Sequence, residues 1–175
     1  MPNSIDCFIS EYNDLESYLL EQQQASALVQ LKNHYRKVLL LSCASYYETR
    51  ILKMLFDFTS KVSSDERLIS FLKNKAIERQ YHTFFNWEGK NINSFLGLFG
   101  NDFKSKISNE IQTNQTLSEQ MKAFLTIGNE RNLMVHENFM EYKLEKTFEE
   151  ILSLHKQAME FIAYLEKAFE IVAVS

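Results

Sequence analysis

The chain predicts an all-α fold, an up-down bundle of four main helices with short accessory ones, on three observations. Turn formers are scarce: 175 residues hold four Gly and one Pro, and Pro2 stands at the very start. A sandwich or barrel turns its strands with many more. Three pairs with Glu three residues after Ser or Thr (Ser63/Glu66, Thr116/Glu119, Thr147/Glu150) have the form of capping boxes that open helices. Apolar residues recur at helical spacing, most cleanly in Ile151, Leu154, Ala158, Phe161, Leu165, Phe169 and Val172. With 45% hydrophobic and 24% charged residues, the composition is that of one globular domain, expected to span 1–175.

The elements follow in order. A first helix is expected over 5–21, with Ile5, Phe8, Ile9, Tyr12, Leu15 and Leu19 on one face, and Gln22 to Gln24 as a connector. A long second helix, 26–60, is apolar around much of its middle (VLLLSCASYY), as in a helix buried on more than one side. Ser63 and Glu66 predict a third helix over 65–79. Residues 81–91, with Trp87 beside Gly89, read as a connection packed by its own aromatics. Short helices are expected over 92–99 and 102–113, separated by Gly100. A sixth opens at Thr116 and ends near Leu133, and the last begins at Thr147.

Charge is uneven. Residues 1–27 carry five acids and no Lys or Arg, 28–90 carry eleven basic against six acidic residues, and 91–175 carry eight against twelve. A net charge of -4 argues against non-specific coating of nucleic acid. A local basic surface around Lys32, Arg36, Lys37, Arg50, Lys53, Lys73, Lys75 and Arg79 stays open beside the plainer reading, a solvated mixed-charge face. The acidic start has no basic region of a targeting signal, and the longest uncharged run in the first half, 38–47, is about half a membrane span. A cytoplasmic protein with no membrane partner is the expectation. Cys7 and Cys43, too far apart for a CxxC site, suit a reducing compartment. Cys43 lies in the most apolar stretch and reads as a core thiol.

Several chemistries drop out. Neither a Walker A loop nor G-x-G-x-x-G is present, HExxH fails because Met140 stands at its fifth position, and no Glu-x-x-His pair supplies di-iron ligands. What remains is Gly-Asn-Glu-Arg-Asn-Leu-Met-Val-His-Glu-Asn-Phe, residues 128–139. Arginine offers a permanently charged planar fork for phosphate oxygens, and histidine takes and returns a proton near neutrality. Together Arg131 and His136 suit attack of a ribose 2′-hydroxyl on its phosphodiester, a reaction on RNA that needs no metal and no cofactor. Five positions along a helix place two side chains about 140° apart. Convergence is therefore expected from a helix end near Met134 or Val135, with Leu133 and Val135 anchoring the turn in the core. The plainer alternative is that both residues cap carbonyls or pair with Glu130 or Glu137.

The RNLMVH segment, between two amphipathic helices of an all-helical chain, resembles the HEPN superfamily, whose hallmark is Arg-x(4–6)-His, often with a polar residue after the arginine. Ser45-Tyr46-Tyr47-Glu48 is similar to the early helix of several HEPN groups. The stretch from Asn91-Ile92-Asn93 to Phe99-Gly100 is similar to the group associated with RiboL-PSP domains. The likeness covers 25–172. It implies a metal-independent endoribonuclease cutting single-stranded RNA, a homodimer whose Arg-His pairs meet in one cleft, and a place in toxin–antitoxin systems, phage defence or RNA processing, restrained by an antitoxin or regulatory protein. By resemblance His136 is the base or acid, Arg131 the phosphate clamp, Asn132 the polar helper and Glu48 an acid orienting Arg131. Weaker RNA contacts are assigned to Arg50, Lys53, Arg79 and His82. The alternative is a HEPN-like module that binds RNA or dimerises without catalysis. Where one branch has Tyr two residues after the histidine, this chain has Asn138, which disfavours neutralisation through a modified tyrosine.

Overall fold

A 38-residue helix, α2 (Ala25–Val62), is the spine of the computed structural model, which describes residues 4–172; Pro2 and the Val172 side chain lie outside the described side chains. Before it comes α1 (Ser4–Glu21), and the Gln22–Gln24 connector turns through Gln23 at φ 53. A link this short makes α1 and α2 packed neighbours. After α2 come α3 (Glu66–Leu72), a π-helical turn (Lys73–Ile77), α4 (Tyr81–Phe84), α5 (Asn93–Gly97), α6 (Asn101–Thr113), α7 (Gln115–His136) and α8 (Phe148–Val172). No strand forms among the described residues. The all-α bundle is as expected: α7 packs along α8, α2 against both, and α1 on α2.

Burial follows the stripes. Ile151, Ala158, Phe161, Leu165 and Phe169 of α8 face the core, with Leu39, Leu40, Cys43, Tyr47 and Ile51 of α2 opposite. Tyr12 of α1 stacks on Phe148 at 3.8 Å between ring centroids. Leu15, placed by its spacing on the buried face, is instead 41% exposed.

Helix starts show one hit and two corrections. Thr147 and Glu150 form the reciprocal box: Glu150 N–H donates to Thr147 Oγ1 (3.1 Å) and Thr147 N–H to Glu150 Oε2 (2.7 Å). Helix α3, however, is capped by Asp65, which accepts from Arg67 N–H, and α7 by Asn114, which accepts from Leu117 N–H (3.1 Å). Asp and Asn cap as well as Ser and Thr do; here Asp65 takes over two residues after Ser63, and Asn114 caps two residues before Thr116, which falls inside α7. The third helix does not continue to 79: it widens into the π turn and stops at Glu78, with Arg79 left-handed at φ 65.

Candidate active site

Helix α7 does not break between Arg131 and His136. It runs to His136, and Glu137 closes it in extended conformation, its N–H donating to Leu133 O at 3.0 Å. The expected turn at Met134 or Val135 is corrected for a simple reason: 129–136 contains no Gly or Pro to stop the helix. Nor do Leu133 and Val135 anchor anything, being 39% and 52% exposed; Met134 is the buried residue. Arg131 and His136 of one chain thus leave α7 about 140° apart.

The helix instead pairs Asn132 with His136, four residues on. These two, with Asn129 and Leu133 of the same face, line an open cleft of about 300 Å³ whose other wall is Phe85, Asn86, Trp87 and Glu88. The 129, 132, 133, 136 spacing is a helical face legible in sequence. The opposite wall is not: Trp87 comes from a connection more than forty residues earlier. It is buried, donates from Nε1 to His82 O (3.1 Å) and lies against Phe85 and Phe124. Gly128 makes this possible, because a Cβ there would stand 2.0 Å from Trp87 Cζ3. Tyr81, Phe84, Phe85 and Trp87 are all buried, so the 81–91 aromatics pack the connection, as expected.

Arg131 faces α4. Its guanidinium nitrogens lie 3.5 Å from both ring nitrogens of His82, too far for strong hydrogen bonds, and its Nη1 donates to Asn132 Oδ1 at 3.1 Å. Asn132 therefore touches both parts of the site, the cleft and the guanidinium. Glu48 makes no ion pair with Arg131 among the described residues; both act instead on Tyr81. Burial raises that phenol well above its ordinary range, Glu48 pushes the same way and Arg131 opposes.

The capping alternative also fails for Arg131. Glu130 is taken by the returning chain, accepting from Tyr142 Oη (2.8 Å) and pairing with Lys146 (3.0 Å). Lys37 holds the turn after α7 by donating to Phe139 O (2.7 Å). Of the weaker candidates, Arg50 is bound by Glu166 and Tyr46, and Lys53 by Asp57, so carboxylates already occupy both. Arg79 is exposed. His155 is a core residue, its Nδ1 hydrogen-bonded with the buried Tyr47 hydroxyl at 2.9 Å. Cys43 is fully buried, and burial pushes its thiol up to about 12. Among the described residues no three His, Cys, Asp or Glu side chains gather as metal ligands, and no helix is long and apolar enough to cross a membrane.

No curated protein and no solved structure matches the chain. The family model described as RiboL-PSP-HEPN matches residues 6–170, which takes in every helix of the bundle and both walls of the cleft. The chain therefore belongs to the RiboL-PSP-HEPN family, within the HEPN superfamily, a group generally associated with ribonuclease activity.

Proposed function

We propose that this chain is a metal-independent endoribonuclease that cuts single-stranded RNA, acts as a homodimer and serves as a toxin or an anti-phage effector. The observation that carries the reading is the last two turns of α7. There Arg131 makes no ion pair among the described residues, while the exposed His136 and its neighbour Asn132 open on a cleft. In the proposed step His136 takes the proton of a ribose 2′-hydroxyl. The 2′-oxygen bonds to the adjoining phosphorus as the phosphorus bond to the 5′-oxygen breaks, the 5′-oxygen leaves with the proton that histidine returns, and a 2′,3′-cyclic phosphate remains. Arg131 binds the phosphate oxygens as negative charge builds on them, with Asn132 positioning its fork.

One copy does not suffice, since its two groups diverge along a continuous helix. Leu133 and Val135, exposed beside them, give a second copy an apolar surface to cover, bringing Arg131 of one subunit toward His136 of the other. His82 and Arg79 then flank the RNA path. Arg50 and Lys53, already paired, contribute little, and Glu48 and Arg131 act in opposite senses on the buried Tyr81. The cytoplasm is the proposed compartment, and a separate antitoxin or regulatory protein the restraint.

The test is cleavage of single-stranded RNA in EDTA, with the 3′ ends identified. Cyclic phosphate or 3′-phosphate ends, lost in His136→Ala while fold and dimer persist, support the reading. Unchanged cleavage in that variant removes His136 from the mechanism. The divergence of Arg131 and His136 also favours a second reading, a module that binds RNA without cutting it. That reading predicts modestly weaker binding in either variant and no cleavage at any pH.

A further inference from the structure

A groove of about 500 Å³ is walled by α2, the π turn, α4 and the segment just after α5, with Phe58, Phe84, Leu98 and Phe99 among its apolar lining. Its size and apolar character are those of a small-molecule site. Its polar groups are few and asymmetric. The Thr59 hydroxyl donates to Phe56 O (2.8 Å), and the Thr83 hydroxyl is shared between Gln80 O (2.8 Å) and Gln80 Oε1 (3.1 Å). Those bonds commit both hydroxyl protons and one lone pair of the Gln80 amide oxygen. The Gln80 amide nitrogen and the Lys75 ammonium are left to donate, and no carboxylate lines the groove. The lining thus asks for an apolar body carrying one anionic, hydrogen-bond-accepting head.

The wall is also irregular backbone. Lys75 sits in the π turn and Gln80 follows Arg79 at φ 65, two deviations of a kind that gather at functional sites. The four-residue α4 contributes to both the groove and the candidate active site. Thr83 and Phe84 line the groove, while His82 touches Arg131 and its carbonyl accepts from Trp87 Nε1.

We propose that this groove binds a free amphiphilic carboxylate, its head on Lys75 and Gln80, and that α4 transmits the binding to Arg131. This site goes beyond the nuclease reading, and its test needs no cleavage. Trp87 is the only tryptophan and its indole donates to the His82 carbonyl of α4, so its emission reports on that helix through this contact. Decanoate, below its micelle concentration, is titrated against the full chain, with decanol and decyltrimethylammonium as controls, and the Arg131 Nε–H resonance is followed by NMR.

The expected result is a saturable change with decanoate, weakened at least about tenfold in Lys75→Glu and lost in the groove-filling Ala76→Phe, both variants folded by circular dichroism. The Arg131 resonance shifts with the same midpoint. Equal binding of decanol overturns the anionic head. The absence of saturation, or a response only to phosphatidylglycerol vesicles, overturns the site. Saturable binding with an unmoved Arg131 resonance overturns the coupling.

Discussion

Trp87 lies so close over Gly128 of α7 that a Cβ at that position would meet its ring at 2.0 Å. Glycine inside a helix costs about 1 kcal/mol relative to alanine, so its presence marks a place where close approach is worth more than propensity. Gly128→Ala must push the ring aside. Overpacking of this kind costs about 1–3 kcal/mol, which outweighs the helix gain. Urea unfolding should show a lower midpoint, and the native emission of Trp87 should shift as the ring leaves its bed.

Arg131 and His136 leave one continuous helix on different sides, so their cooperation should be visible between subunits. Each of Arg131→Ala and His136→Ala should lower cleavage roughly 10²- to 10⁴-fold. Mixing the two inactive proteins under conditions of subunit exchange should restore cleavage, because one cross-subunit pair is then intact. No recovery in mixtures shown to contain heterodimer would place both groups' work within a single chain.

His155 ties stability to pH. Burial lowers its pKa below the ordinary 6.5, and Asp6 opposes only in part. The unfolded chain therefore binds a proton that the folded one refuses. Stability is full above pH ~6.5, declines as the pH falls from there toward the folded pKa, and flattens below it. Thermal melts between pH 7.5 and 5 should trace this decline, and His155→Gln should flatten the part due to this residue.

The two thiols should part company. Cys7 is exposed, whereas Cys43 is buried and held to a pKa of about 12. A disulfide reagent at pH 8 should count one fast thiol in the native protein and two in denaturant.

At the start of α8, Thr147→Ala removes one half of a reciprocal cap and should cost about 1 kcal/mol, read as a drop in melting temperature. Glu150→Gln keeps the hydrogen-bonding shape and should lose less.

Local signals were legible where their partners are local. Thr147 and Glu150 are three residues apart and form the box their spacing promises. The α8 stripe faces the core for the same reason. Asp65 and Asn114 displaced the other two caps because capping residues compete, and sequence alone does not rank neighbours. Helix α7 runs unbroken past Arg131 to His136 because residues 129–136 hold no helix breaker, a local fact that outweighs any functional pairing of those two side chains. The Asn132–His136 face was there to be read at four-residue spacing. His82 against Arg131 and Trp87 over Gly128 join residues 49 and 41 positions apart, contacts that only the packed bundle specifies.

Glu130 and Arg131 are adjacent in the chain yet electrically separate. Tyr142 and Lys146 engage both oxygens of that carboxylate, so the nearest acid in sequence spends its charge tethering the segment that leads into α8. The guanidinium beside it makes no ion pair among the described residues. Anchoring the connection and keeping a cation unquenched are thus one and the same act, and loosening the tether would dim the attraction that Arg131 exerts on any passing anion.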